Sequence, residues 1–494
     1  MKKLLFPIIL LSSFAISTHS QDTIQSRQNV RTGWTFGVLP SVSYDADLGL
    51  QYGILTNIYY FGDGGTYPDY LHSFYLEAAY TTMQYGIFRF SYDSKHLITG
   101  HRLSVDITYL PDAMCDFYGF NGFESRYNSN WVDDKSTDYR SRAFYKMQRN
   151  LFRFAADLQG RIVGHFFWNV GVGVLDYRNG TIDLERLNKN KEAADALPAV
   201  ATLYDRYVQW GLVKANEAKG GTHPYLHAGA TYDTRDRQQN PQSGIHANAF
   251  LSYTAAFGDQ GEYNNLKINA TWHHFLPLWR KTYILKNGSR QQCNVITFAY
   301  RVGLQQLLAG GSPYYLNSYL NQLYLQRVLY EGLGGANSLR GIMRNRILGD
   351  GFLYGNVELR AQLFRFCVGK ENFYIGINPF LDWGMLTQRR KAYTMTKGNK
   401  SIPSQTEEQQ RGGVDAATLA AITASGERQY DYFVPTPDDG ESVEQWHRLH
   451  FGTGCGLKIT MNDNFVLSID WARALKEQDN SKSGNLYIKM GYMF

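Results

Sequence analysis

Over most of its length the chain alternates apolar residues with polar or small ones, the period of two that keeps one face of a strand apolar. From Trp34 through Tyr44 the even positions are apolar, whereas from Phe465 to Trp471 the odd ones are, which turns Asp470 to the opposite face. The last stretch places Leu486, Ile488, Met490, Tyr492 and Phe494 on one side. Cutting at turn signals gives strands over about 33–44, 48–60, 70–82, 84–94, 100–110, 142–158, 161–176, 223–235, 243–257, 261–275, 292–307, 351–365, 372–385, 447–460, 464–474 and 485–494. Segments of roughly ten residues with one apolar face suit a bilayer, where each strand must be paired on both sides because lipid satisfies no free edge. The pattern predicts an all-β fold, a transmembrane antiparallel β-barrel of about sixteen strands with long extracellular loops.

Parity checks this reading, since such barrels have short periplasmic turns and long outer loops. With a periplasmic N-terminus, the long connections 111–141, 177–222, 308–350 and 386–446 all fall outside. Among the inner turns only 276–291 is long. Within the last outer loop, Val414 to Thr423 is Ala-rich and suits a short helix. At the start, Lys2 and Lys3 precede an apolar run from Leu4 to Ile16 and then small residues, the pattern of a signal peptide over 1–20. The mature chain is expected to begin near Gln21, with 21–32 a short periplasmic segment of about a dozen residues and 33–494 the barrel. A dozen residues cannot form a folded periplasmic module.

Composition agrees. The chain is polar on average, and beyond the leader no run reaches the ~18–20 apolar residues of a membrane helix. Yet aromatic residues make up 15%, with 36 Tyr and 28 Phe, and Gly outnumbers Pro by 47 to 13. Aromatic girdles around a polar lumen give that mixture. A formal charge of +6, or +4 without Lys2 and Lys3, does not point to nucleic acid. Four Cys do not make a disulfide scaffold in a chain this long. Cys293 and Cys367 fall near the periplasmic ends of neighbouring strands, which leaves open a cross-strand bridge or free thiols. The sequence holds no G-x-S-x-G elbow, H-E-x-x-H pair or phosphate loop, so no enzyme, metal or cofactor is expected. His223 and His227 share a strand face too far apart for easy shared ligation, and His273 and His274 face opposite sides.

Four segments carry a family resemblance. Asp233-Thr234-Arg235-Asp236, followed by Pro241 and Gly244, is similar to a D-x-R-D…P-x-x-G periplasmic turn before the ninth strand. Leu339-Arg340-Gly341-Ile342 is similar to a V-R-G-[F/Y] motif, with Leu and Ile in place of the usual Val and aromatic, and the strand count puts it in the sixth outer loop. Glu358 in Asn356–Arg360, and Asp382 with Gly384 in Phe380–Gly384, supply inward carboxylates on strands twelve and thirteen. Together these resemble the superfamily of BamA, TamA and the two-partner-secretion transporters, the bacterial surface-antigen barrels. The resemblance implies that Arg340 anchors a lumen loop against Glu358 and Asp382. It also implies that the aromatic C-terminal stretch with Tyr492 and Phe494 acts as the signal by which bacterial barrels are recognised for assembly.

The family further implies an outer-membrane location in a Gram-negative-type bacterium, with lipid as the surrounding partner. It implies insertion or translocation of outer-membrane or surface proteins through a seam that opens between the first and last strands, here Gly33–Tyr44 against Leu486–Phe494. Without periplasmic modules of its own, the barrel is expected to act with other outer-membrane barrels or a periplasmic or lipoprotein partner. The alternative is a passive barrel plugged by the 308–350 loop, or a scaffold presenting the 386–446 loop.

Overall fold

The computed structural model describes residues 31–66, 70–193, 195–238, 240–284, 290–317, 332–368, 371–390, 394–396, 399–401, 446–461, 465–480 and 484–494. It is a closed antiparallel barrel of sixteen strands. Strand β1 comes in two pieces, Trp34–Pro40 and Ser43–Asp45. Then follow β2 (Gly49–Tyr60), β3 (His72–Thr81), β4 (Gly86–Ile98), β5 (His101–Asp116), β6 (Lys146–Val163), β7 (Phe166–Gly180) and β8 (Gly220–Asp233). The second half contains β9 (Gly244–Thr254), β10 (Asn265–Ile284), β11 (Arg290–Gly310), β12 (Gly351–Val368), β13 (Glu371–Gln388), β14 (His450–Met461), β15 (Phe465–Ala474) and β16 (Asn485–Met490). Each strand pairs with its sequence neighbours, and β16 closes the ring on β1.

The alternation read from the sequence is the physical basis of the wall. On β15 Ser468, Asp470 and Ala472 are buried inside while Trp471 faces out. On β7 Val170 and Val172 are exposed, and Asn169, Gly171 and Gly173 turn inward. The lumen is filled with polar side chains: Arg89, Ser91, Asp106 and Arg153 form one buried network across β4, β5 and β6, with Arg89 and Arg153 each 2.7 Å from Asp106. His223 meets the Tyr315 hydroxyl at 2.8 Å and His227 meets Asp157 at 2.8 Å, so the two histidines have separate partners.

Outside the membrane the loops build a core of their own. Helices α1 (Leu184–Asn188), α2 (Leu203–Gln209), α3 (Ala215–Ala218) and α4 (Tyr314–Asn317) lie in the outer connections. Phe117, Phe120, Tyr204, Tyr207 and Tyr314 pack edge to face over the mouth, with Trp131, Phe144 and Leu348 in the same apolar cluster. Such aromatic edge contacts favour one arrangement of the loops over a loose collapse.

Several expectations need correction. The long inner connection at 276–291 is mostly strand: pairing continues from Leu276↔Phe298 to Ile284↔Arg290, with irregularities at Pro277 and Trp279. Proline reads as a strand breaker, but a bulge absorbs it here. The last strand stops at Met490, where Gly491 takes a left-handed φ of 86° and turns the chain inward. Tyr492 and Phe494 therefore do not share the outer face of Leu486 and Met490. The Ala-rich stretch 414–423, the leader at 1–20 and the side chains of Cys293 and Cys367 lie outside the described residues.

The seam is the weakest joint in the wall. It holds two residue pairs, Ile488↔Tyr44 and Tyr487↔Asp45. Trp34–Pro40 pairs fully with Ile54–Tyr60 on β2, but among the described residues its other edge meets no strand. Phe36 is 76% exposed beside that edge. In hydrogen exchange of the barrel in lipid nanodiscs, the amides of β1 and β16 are expected to exchange well before those of β11, β12 and β13. Equal protection around the ring would contradict this account of the seam.

Candidate functional site

The outer connection between β11 and β12 folds back into the lumen, and residues Leu333–Leu348 are almost entirely buried there. Arg340 lies at its centre with 0% exposure. Asp382 of β13 takes its Nε at 2.9 Å and its Nη2 at 3.0 Å, and also accepts the Arg340 backbone N–H at 2.9 Å. Glu358 of β12 stands 2.8 Å from Nη1 and Asp470 of β15 stands 3.5 Å from the same atom. The guanidinium lies 3.4 Å above the Phe380 ring. A planar fork with fixed donors suits this bidentate, stacked setting, and a lysine point charge would not reproduce it.

The counter-charges continue outward. Arg360 donates to Glu358 at 2.9 Å and Lys458 of β14 to Asp470 at 2.5 Å, so three cations alternate with three carboxylates. A lone charge so deeply buried would be strongly disfavoured, whereas a hydrogen-bonded cluster of balanced charge is tolerated. Arg301 of β11 and Asn356 of β12 hold the loop backbone at Ser338, at 3.3 and 2.9 Å.

Close approach of the loop to the wall depends on glycine. Gly341 has a φ of +85°, and a Cβ there would come within 2.7 Å of the Arg473 backbone on β15. At Gly384 a side chain would strike Leu339 at 2.7 Å.

Two further arginines of the loop reach other walls. Arg344 donates to Asp112 on β5, and Arg346 donates to the carbonyls of Gly122 at 3.0 Å and Ser125 at 2.9 Å. Arg346 also reaches the Gln478 carbonyl at 2.6 Å. On the seam side, Lys489 of β16 donates to the Ala336 carbonyl at 2.9 Å, and the Tyr487 hydroxyl accepts the Gly341 N–H at 3.2 Å. A cavity of about 160 Å³ remains between Gly334–Ser338 and the outer end of the seam, lined by Tyr44, Asp45, Tyr487 and Lys489 among others.

At the periplasmic end, the Asp233–Gly244 turn is braced by its own side chains. Asp233 holds Arg235 at 2.9 and 2.7 Å, and Asp236 accepts the backbone N–H groups of Gln242 and Ser243 at 3.0 and 3.2 Å. Gly244 starts β9 with a φ of 100°. Arg360 connects this turn to the C-terminal residues: it donates to the Pro241 carbonyl at 3.5 Å and to the Phe494 carbonyl at 2.7 Å, and stacks on Tyr492 at 4.1 Å. Tyr492 and Phe494 thus lie inside the barrel against Arg360 and His273.

Residues 97–494 match the model of the Omp85 superfamily domain. The chain belongs to the Omp85 superfamily. Among solved structures this Omp85 barrel is similar to BamA from Haemophilus ducreyi lacking POTRA domains 1–3, at 13% identity over 93% of this chain and 70% of that one, with a TM-score of 0.49. It is also similar to CdiB from Escherichia coli, at 10% identity over 92% of this chain and 62% of that one, with a TM-score of 0.50. No curated protein matches in sequence. Membership of the Omp85 superfamily implies an outer-membrane location.

Within this Omp85 barrel the structure brings Arg340, Gly341, Glu358, Asp382 and Gly384 together in the lumen, and it places Asp233, Arg235, Asp236, Pro241 and Gly244 in one turn at the periplasmic end. Sequence reasoning turned Asp470 inward without pairing it to Arg340, and it missed Arg344, Arg346, Lys458 and Tyr487. Three arginines within seven loop residues were the available signal for Arg344 and Arg346.

Arg340→Ala is expected to destabilise the plugged barrel by about 3–5 kcal/mol, since it strands the buried Asp382 carboxylate and takes one of two cations from Glu358 and from Asp470. Arg340→Lys is expected to recover less than half of that loss. The readout is the temperature at which the folded band is lost in heat-modifiability gels, together with protease access to the 311–350 connection. An unchanged midpoint for the alanine variant would remove the loop anchor from this account.

In the outer β1–β2 turn, burial and then the Asp45 and Asp116 carboxylates push the Asp47 carboxyl well above its usual range, while Lys146 and Arg344 oppose them. A carboxyl raised in the folded state favours folding below its unfolded pKa, and that contribution is lost as pH rises through the folded value. Asp47→Asn is therefore expected to raise the unfolding midpoint at pH 8 and to leave it unchanged near pH 3. A lower midpoint at pH 8 would contradict the sign.

Proposed function

We propose that this barrel assists the insertion or translocation of outer-membrane or surface proteins through the seam between β1 and β16. The observation that carries the reading is the two-pair seam beside the edge of Trp34–Pro40, which meets no strand among the described residues. Unpaired N–H and C=O groups at membrane depth are costly, and an incoming amphipathic strand satisfies them by extending the sheet. The family resemblance supplies the same direction, and it makes other outer-membrane barrels, or a periplasmic or lipoprotein partner, the expected company. The role needs no bond chemistry and no cofactor. Buried His, Asp, Glu and Lys side chains of the lumen serve as ion pairs and hydrogen-bond partners in this reading.

A second reading has its own observation. The lumen is filled by the Arg340 loop and capped by the aromatic dome, which suits a passive plugged barrel. In that case the Arg340 cluster only locks the plug.

The deciding experiment is depletion of the protein followed by quantitative proteomics of isolated outer membranes, with transcripts measured in parallel. The assembly reading expects a defined set of barrels or surface proteins to fall by at least about twofold while their transcripts hold. Complementation with a Tyr44→Cys, Ile488→Cys double variant, which bridges the paired seam positions, is expected to fail when oxidised and to succeed when reduced. An unchanged inventory, or full rescue by the oxidised barrel, would favour the passive plug.

A further inference from the structure

The outer face of β15 presents a charge that the barrel itself does not use. Arg473 follows the outward register of this strand, between Trp471 at 50% and Leu475 at 61% exposure, while Ala472 and Ala474 turn inward. Among the described residues its guanidinium has no hydrogen-bond or ion-pair partner. By contrast, the outward Arg178 at the outer end of β7 is held by Asp176 at 3.1 Å. Arg473 lies at the extracellular end of the wall: it pairs with Thr453, one step from Gly452↔Ala474, where the β14–β15 ladder ends.

The surroundings leave the charge uncovered. An open groove of about 400 Å³ runs along the wall here, bounded by Thr453, Gly454, Trp471, Arg473, Ala474 and Leu475. Gly484, beside Trp471 at the start of β16, offers no side chain to fill it. An arginine on the lipid face is unfavourable at membrane depth, but its long stem can carry the head to the interface, the level that tryptophan marks. There the complement on offer is phosphate, which the guanidinium fork binds through two parallel hydrogen bonds.

We propose that the groove at Arg473 binds a phosphate of an outer-leaflet glycolipid headgroup, with Trp471 and Leu475 against the acyl chains. The site lies directly behind the loop anchor, because the Arg473 backbone is the surface on which Gly341 rests from the lumen side. Lipid bound outside and the loop seated inside thus hold the same residue of β15. This inference needs the outer-membrane location but stands whether the barrel assembles proteins or is a passive plug.

The test uses the full chain in detergent, titrated in native mass spectrometry with hexa-acylated bisphosphoryl lipid A and with its dephosphorylated counterpart. The wild type is expected to bind the phosphorylated lipid about tenfold more tightly, the scale of one charge-assisted pair. Arg473→Gln is expected to lose that preference, Arg473→Lys to keep most of it, and Arg178→Gln to leave it intact. Thr453→Glu, which sets a carboxylate opposite the guanidinium, is expected to abolish it without removing the arginine. Equal binding of the two lipids, an unaltered preference in both Arg473→Gln and Thr453→Glu, or displacement of the lipid by millimolar inorganic phosphate would each overturn the proposal. The last outcome would make this a free-phosphate site.

Discussion

A guanidinium with no access to water must be surrounded by its own counter-ions, and the interior of this barrel is organised around that demand. Arg340 draws carboxylates from β12, β13 and β15, and each carboxylate that it does not fully neutralise draws a further cation from β12 or β14. Such a cluster contributes little net stability over an apolar core, but it tolerates few alternative arrangements. It therefore fixes where the loop sits. Once the loop is seated, Arg344 and Arg346 fall opposite the β5 wall and the outer loops, and the dome has a floor to pack against.

The wall and the plug distribute strength unequally. Pairing between β10 and β11 runs from Asn265↔Gly310 to Ile284↔Arg290, while β1 and β16 share only two pairs. What the seam lacks in backbone pairing is partly supplied from inside, where Lys489 and Tyr487 of β16 are tied to Ala336 and Gly341 of the loop. The C-terminal turn at Gly491 removes the last residues from the seam and commits them to Arg360 instead. Loop, seam and C-terminal residues are thus coupled through side chains, whereas the rest of the ring is held by its ladder.

Much of this was legible in the sequence because a barrel wall obeys a period of two and a parity rule. About sixteen strands and the outer position of the long loops follow from those rules, whereas the grouping of Arg340 with Glu358 and Asp382 was implied by the family resemblance that the short motifs carry. Features set by tertiary contact did not show. Pro277 looks like a terminator, and only the bulge against Ile296 and Thr297 lets β10 continue past it. The alternation of Leu486 through Phe494 is regular, and nothing local in it announces that Arg360 and Phe275 take the last residues inside.

The anchor also joins parts of the chain that are far apart in sequence. Arg340 precedes all of its carboxylate partners in the chain, and the last of them, Asp470, sits on the penultimate strand. A chain that ends before β15 has Arg340, Glu358 and Asp382 but neither Asp470 nor the Arg473 backbone on which Gly341 rests. The complete anchor therefore exists only where the penultimate strand is part of the wall.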